Sequence, residues 1–123
     1  MSTKTNDSVG VMTHKEFMKK WDEYNSVFAM YGNILEEKER RGELFSPDFC
    51  RTYGILLKKR LEFFMMCSTY YRNLAERSFW FMKPRVIRRA MEFERMHFDT
   101  LYHLMILKMY NRPALRAIGG FKD

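Results

Sequence analysis

The stretch THKEFMKKWDEYNSVFAMYGNIL, residues 13–35, decides the fold. Phe17, Trp21, Tyr24, Phe28, Tyr31 and Leu35 follow one another at steps of 4, 3, 4, 3 and 4. Steps of that kind set all six on one stripe of an α-helix. Met18, Val27 and Ile34 widen the stripe, and Lys19, Lys20, Asp22, Glu23, Glu36 and Glu37 take the other side. Thr13 with Glu16 has the form of a capping box, which satisfies free amides at a helix start. Gly42, after Arg40 and Arg41, is a natural stop. The spacing predicts a first helix over 14–41, roughly 40 Å long at 1.5 Å per residue. Gly32 inside it costs up to about 1 kcal/mol against Ala and marks an expected close helix contact.

Beyond that stretch, Ser46-Pro47-Asp48 opens a second helix: an N-cap, a proline suited to the first helical position, and an acid that complements the helix dipole. Tyr53, Leu57, Leu61, Phe64, Tyr71 and Ala75 recur at helical steps, and Cys50, Leu56, Phe63, Cys67, Tyr70 and Leu74 broaden that face. This helix is expected over 47–82, with a break at Lys83, because a residue before proline resists helical angles. Pro84 then starts a third helix over 84–112. It carries two adjacent apolar lines. One holds Val86, Ala90, Phe93, His97, Leu101 and Leu104. The other holds Ile87, Met91, Phe98, Tyr102, Met105 and Met109. Residues 101–110 are apolar nearly all round, which predicts a segment enclosed on most sides. Pro113 is expected to end the helix.

The 123 residues make one domain, 1–123. The expected fold is all-α: three long helices forming an antiparallel hairpin or an elongated three-helix bundle, with irregular tails over 1–12 and 113–123. A composition that is 46% hydrophobic and 30% charged excludes a disordered chain, and two Cys exclude a disulfide scaffold or a four-Cys zinc site. The first ten residues lack the apolar run of a secretory signal, so the expectation is an intracellular protein that is not secreted.

Eleven Phe, seven Tyr, two Trp and eleven Met exceed what so slender a core needs. Surplus apolar surface marks interfaces, where Met adapts to irregular contacts and aromatics dominate the energy. The candidate protein interface is Phe17, Trp21, Tyr24, Phe28 and Tyr31 of the first helix with Met105 and Met109 of the third.

The net charge of +7 is uneven: −1 over residues 1–45, +3 over 46–82 and +5 over 83–123. Such a field favours anionic partners. It is densest at the corner between the second and third helices, Trp80-Phe-Met-Lys-Pro-Arg-Val-Ile-Arg-Arg89. Trp80, Lys83, Arg85, Arg88 and Arg89 are the candidate contacts to anionic phospholipid, since arginine matches phosphate oxygens with paired bonds and aromatics beside cations suit a membrane interface. The same set suits RNA phosphates with a stacked base.

Little chemistry is on board. Glu94 and His97 have the Glu-x-x-His spacing, but a di-iron site needs two such motifs and two further Glu. Asp99 and His103, four residues apart, are expected to pair along the helix. Cys50 and Cys67 read as buried inert thiols. No phosphate loop, dinucleotide fingerprint or nucleophile elbow appears. The expectation is no enzyme, no metal and no cofactor beyond a bound anionic phospholipid.

Arg51-Thr-Tyr-Gly-Ile-Leu-Leu-Lys58 resembles the Leu-Tyr-Arg motif, followed by a Leu pair and a base, of the LYR-motif proteins, small basic three-helix mitochondrial factors and accessory subunits. The likeness covers eight residues. Thr52 and Gly54 stand where the motif has Leu and Arg, and no functional residue is carried over. The expected function is a non-catalytic structural or accessory subunit of a large assembly, with an organellar membrane complex, such as one of the mitochondrial inner membrane, as its setting. Its expected partners are other protein subunits and anionic phospholipid. The alternative is an RNA-bound peripheral ribosomal protein.

Overall fold

The computed structural model describes residues 11–117 and, within them, side chains as far as Met109. Three helices, α1 (His14–Arg40), α2 (Pro47–Glu76) and α3 (Lys83–Ala117), form an elongated bundle. α2 and α3 make an antiparallel hairpin. α1 returns along α2: His14 Nδ1 lies 3.2 Å from the Tyr70 hydroxyl, Tyr24 donates to Glu62 Oε1 at 3.3 Å, and Lys38 pairs with Asp48. Residue numbers rise along α1 as they fall along α2.

The caps follow from the local sequence. Thr13 Oγ1 accepts from the Glu16 amide at 3.1 Å, and the Thr13 amide donates to Glu16 Oε1 at 2.9 Å. Ser46 Oγ accepts from the Phe49 amide at 3.1 Å ahead of Pro47. α1 ends at Arg40, and Gly42 takes a φ of 76°, which a residue without Cβ adopts at no steric cost. Phe45, three residues on, holds a φ of 63° with a side chain, and its ring sits 6.0 Å from that of Phe49.

Among the described residues, two clusters form the core. Phe17, Phe63, Cys67, Tyr70 and Phe93 join all three helices, with Trp21, Tyr24 and Phe28 packed against them. Cys50, Leu57, Leu104 and Leu107 join α2 to α3 alone, flanked by Tyr53 and Leu61. Three buried hydroxyls are satisfied within their own helices: Thr52 by Asp48 O, Ser68 by Met65 O and Thr100 by Met96 O.

Four expectations need correcting. α2 stops at Glu76 instead of 82. The Arg77 and Ser78 amides donate to Leu74 O and Ala75 O, and Ser78 Oγ also takes Leu74 O at 2.8 Å, so the last turn tightens and closes. The break thus falls over 77–82, and Lys83 itself is helical, with Pro84 at a position whose missing N–H costs no internal bond. α3 runs through Pro113 to Ala117, forgoing the one bond that Pro113 is unable to donate. The expected tail is therefore helical over 113–117, and 118–123 lie outside the described residues, as do 1–10 of the expected leader. Gly32 marks no close contact: nothing lies within 4 Å of where its Cβ would be. No helix among the described residues is long and apolar enough to cross a membrane.

Candidate functional site

The first-helix half of the expected interface is spent inside the chain. Phe17 is 2% exposed and stacks on Tyr70 with centroids 3.9 Å apart and planes 3° from parallel. Trp21 meets Phe63 at 5.1 Å and Phe93 at 6.2 Å, and Tyr24 and Phe28 lie 5.5 Å and 5.3 Å from Phe63. Tyr31 is half-buried. The rings of Phe17, Trp21, Tyr24 and Phe28 hold α1 to the hairpin, so these four are not a free surface for another chain.

The third-helix half is free. α3 turns Ala90, Phe93, Thr100, Leu104 and Leu107 inward, with His97 half-buried on the same line. The neighbouring line points away from the core: Met91, Phe98, Tyr102, Met105 and Met109 are each more than half exposed. Their steps of 7, 4, 3 and 4 make one straight seam. Of the stretch 101–110, expected to be enclosed, the described side chains 101–109 are covered on one side only. Beside the seam, α2 and α3 frame an open groove of about 480 Å³ lined by Met65, Thr69, Arg72, Glu94, His97 and Phe98.

The groove settles the Glu-x-x-His pair. Arg72 grips Glu94 with two bonds of 2.8 Å, from Nε to Oε2 and from Nη2 to Oε1. That hydrogen bonding, helped by the guanidinium charge and opposed by burial, holds the Glu94 carboxyl below the usual carboxylate range. Glu94 is thus committed to α2. Among the described residues no three His, Cys, Asp or Glu side chains gather as a metal site, and Asp99 and His103 form no ion pair.

The corner expected to carry the charge is a projecting tip. The Met82 and Lys83 amides both donate to Phe79 O at 2.9 Å, and this tight turn throws three consecutive rings outward. Phe79, Trp80 and Phe81 are 73%, 83% and 61% exposed. Phe79 and Phe81 stack at 5.8 Å and 8°, and Trp80 stands edge-on to Phe81, so the three form one aromatic knob. Lys83, Arg85 and Arg88 are exposed beside it and have no carboxylate partner among the described residues. Arg89 differs from them. It sits 5.3 Å over Phe93 and 6.0 Å over Tyr71, and it donates to Glu92 at 3.3 Å, so it serves the fold.

Sequence reasoning found Trp80 and the cations but missed Phe79 as a partner ring and Arg77 as a flanking charge. Both fell inside a stretch read as helix. The signal was Ser78, whose hydroxyl competes for helix carbonyls. Comparison of the chain with protein-family models, with curated proteins and with solved structures finds no match.

Proposed function

We propose that the chain is a non-catalytic structural subunit of a large assembly, braced by a partner helix laid along the outer seam of α3. The observation that carries this reading is the exposure of Met91, Phe98, Tyr102, Met105 and Met109 on a helix whose inner line already fills the core. Covering the exposed part of five such side chains is worth roughly 4–8 kcal/mol. That offsets the lower part of the roughly 4–15 kcal/mol lost in association. A stable partner therefore also covers Met65 and Leu101, which flank the seam and are themselves exposed. Knob-and-hole contacts between helices suit a seam with alternating steps of four and three. The engagement of Glu94 by Arg72 supports a non-catalytic role, because it removes the one ligand pair the sequence offered.

The test uses the full chain at native expression. A photo-crosslinking residue at Met105 is expected to join it to one helix of a defined subunit, and the chain is expected to elute far above its 15.0 kDa. Phe98→Lys with Met105→Lys is expected to return it to the free pool with its helicity intact. Elution of the unaltered chain as a monomer, or full incorporation of the double variant, contradicts the reading. The compartment to examine first is the mitochondrial inner membrane. One observation favours a second reading, an RNA-bound peripheral ribosomal protein: residues 77–91 hold five Arg or Lys and no Asp or Glu. Release of the chain by ribonuclease is the result that supports it.

A further inference from the structure

We propose that the α2–α3 tip is a peripheral membrane anchor, setting Phe79, Trp80 and Phe81 among the headgroups of an anionic bilayer with Arg77, Lys83, Arg85 and Arg88 on the phosphates. Shape is the first argument. The rings crown the end of a hairpin and are each more than half exposed, so they present a convex knob that fits a soft surface. α1 starts level with Tyr70, and Glu76 lies six residues further along α2, so the tip projects roughly 9 Å beyond α1 at 1.5 Å per residue. Interfacial segments sink about 5–10 Å into the headgroup and acyl boundary, which matches that reach.

Chemistry is the second argument. Tryptophan favours the boundary layer, where its ring is half in hydrocarbon and its N–H edge stays wet, and the two phenylalanines beside it supply purely apolar surface for the acyl side. Trp80 is the most exposed large apolar residue among the described ones. Charge is the third. The run 77–91 carries five Arg or Lys with no acid, and four of these cations, all but Arg89, have no carboxylate partner among the described residues. An anionic leaflet complements that set, and each cation near it strengthens binding roughly five-fold. Phe79 and Phe81 lie against each other at 5.8 Å, so no base fits between them and only outer ring faces are open to stacking. The tip shares no residue with the α3 seam, so the two surfaces stand or fall separately.

The experiment mixes the full chain with vesicles of phosphatidylcholine alone, and with vesicles containing roughly 30% phosphatidylserine. The expected results are co-sedimentation with the anionic vesicles, little with the neutral ones, and a blue shift of tryptophan emission on binding. That shift should be lost in Trp80→Phe, which leaves Trp21 as the one tryptophan. Phe79→Ser, Trp80→Ser and Phe81→Ser together should lower binding at least about ten-fold. Arg85→Gln with Arg88→Gln should lower it roughly 25-fold. All these side chains are exposed, so circular dichroism should show the helices unchanged. Phe98→Lys with Met105→Lys should bind vesicles as the unaltered chain does. Failure to bind anionic vesicles, equal binding to neutral ones, or unchanged binding of the triple serine variant overturns the assignment. So does loss of binding in the α3 variant, which would move the contact to the seam, or salt-sensitive binding to RNA in place of vesicles.

Discussion

Phe17 lies flat on Tyr70 and touches the edges of Trp21 and Tyr71, so its removal opens a hole where α1 meets the hairpin. Phe17→Ala is expected to cost about 3–5 kcal/mol, measured as a lower urea midpoint. That is a large share of the roughly 5–15 kcal/mol that holds a domain together. The acid limb of stability belongs to this scale too. Arg72 holds Glu94 below the ordinary carboxylate range, and Lys38 does the same to Asp48. Each carboxyl binds its proton less readily folded than unfolded. Their contribution is complete above the unfolded value of about 4 and is lost as pH falls through the folded one. The Arg72–Glu94 pair is partly exposed, so its share stays below about 1 kcal/mol. Urea midpoints should fall as pH drops below about 5, and Arg72→Met should flatten part of that fall.

Among the helices, α1 is the weakly held one. Phe17 is its single buried residue, whereas α2 buries eleven. Beyond Phe28 its hold on α2 includes the ion pair of Lys38 with Asp48. Hydrogen exchange should therefore release the amides of residues 30–40 first and those of residues 54–70 last, with α1 opening below the global free energy. Equal protection of α1 and α2 would contradict this. The element scale also shows what the sequence made legible. The capping box at Thr13, the Ser46-Pro47 start and the 4-3-4-3 spacing of aromatics are local signals, and the helices begin where they stand. The ends were harder to read. The apolar lines of α2 stop at Leu74 and Ala75, and with no glycine before Lys83-Pro84 the proline reads as the breaker, which carries the expected α2 six residues too far. Pro113 read as a stop because local rules count its missing donor. Which of two apolar lines on α3 faces inward was not legible at all, since both fit the period. Only packing against Leu57 and Cys50 chooses between them.

At the scale of the whole molecule, the core ties the three helices together near the tip and only two of them at the far end. Two apolar surfaces left over among the described residues are the α3 seam along one side and the aromatic tip at the end, at right angles to each other in function: one reaches sideways and the other forward. Their charge surroundings differ as well, with a salt-independent contact expected for the seam and a salt-sensitive one for the tip. Raising ionic strength to about 0.5 M should therefore weaken attachment through the tip while leaving seam contacts in place, a split that sequential salt and detergent extraction measures.

Each core cluster also encloses one sulfur. Cys67 lies in the cluster nearest the tip and Cys50 in the one furthest from it, and both are wholly shielded from solvent. Burial raises both thiols, that of Cys67 up to about 12, so neither offers a thiolate while its surroundings stay closed. A pulse of alkylating reagent under rising denaturant, read by peptide mass, then records which half of the rod comes apart first. The native chain carries its own pair of opening sensors, with no label to engineer.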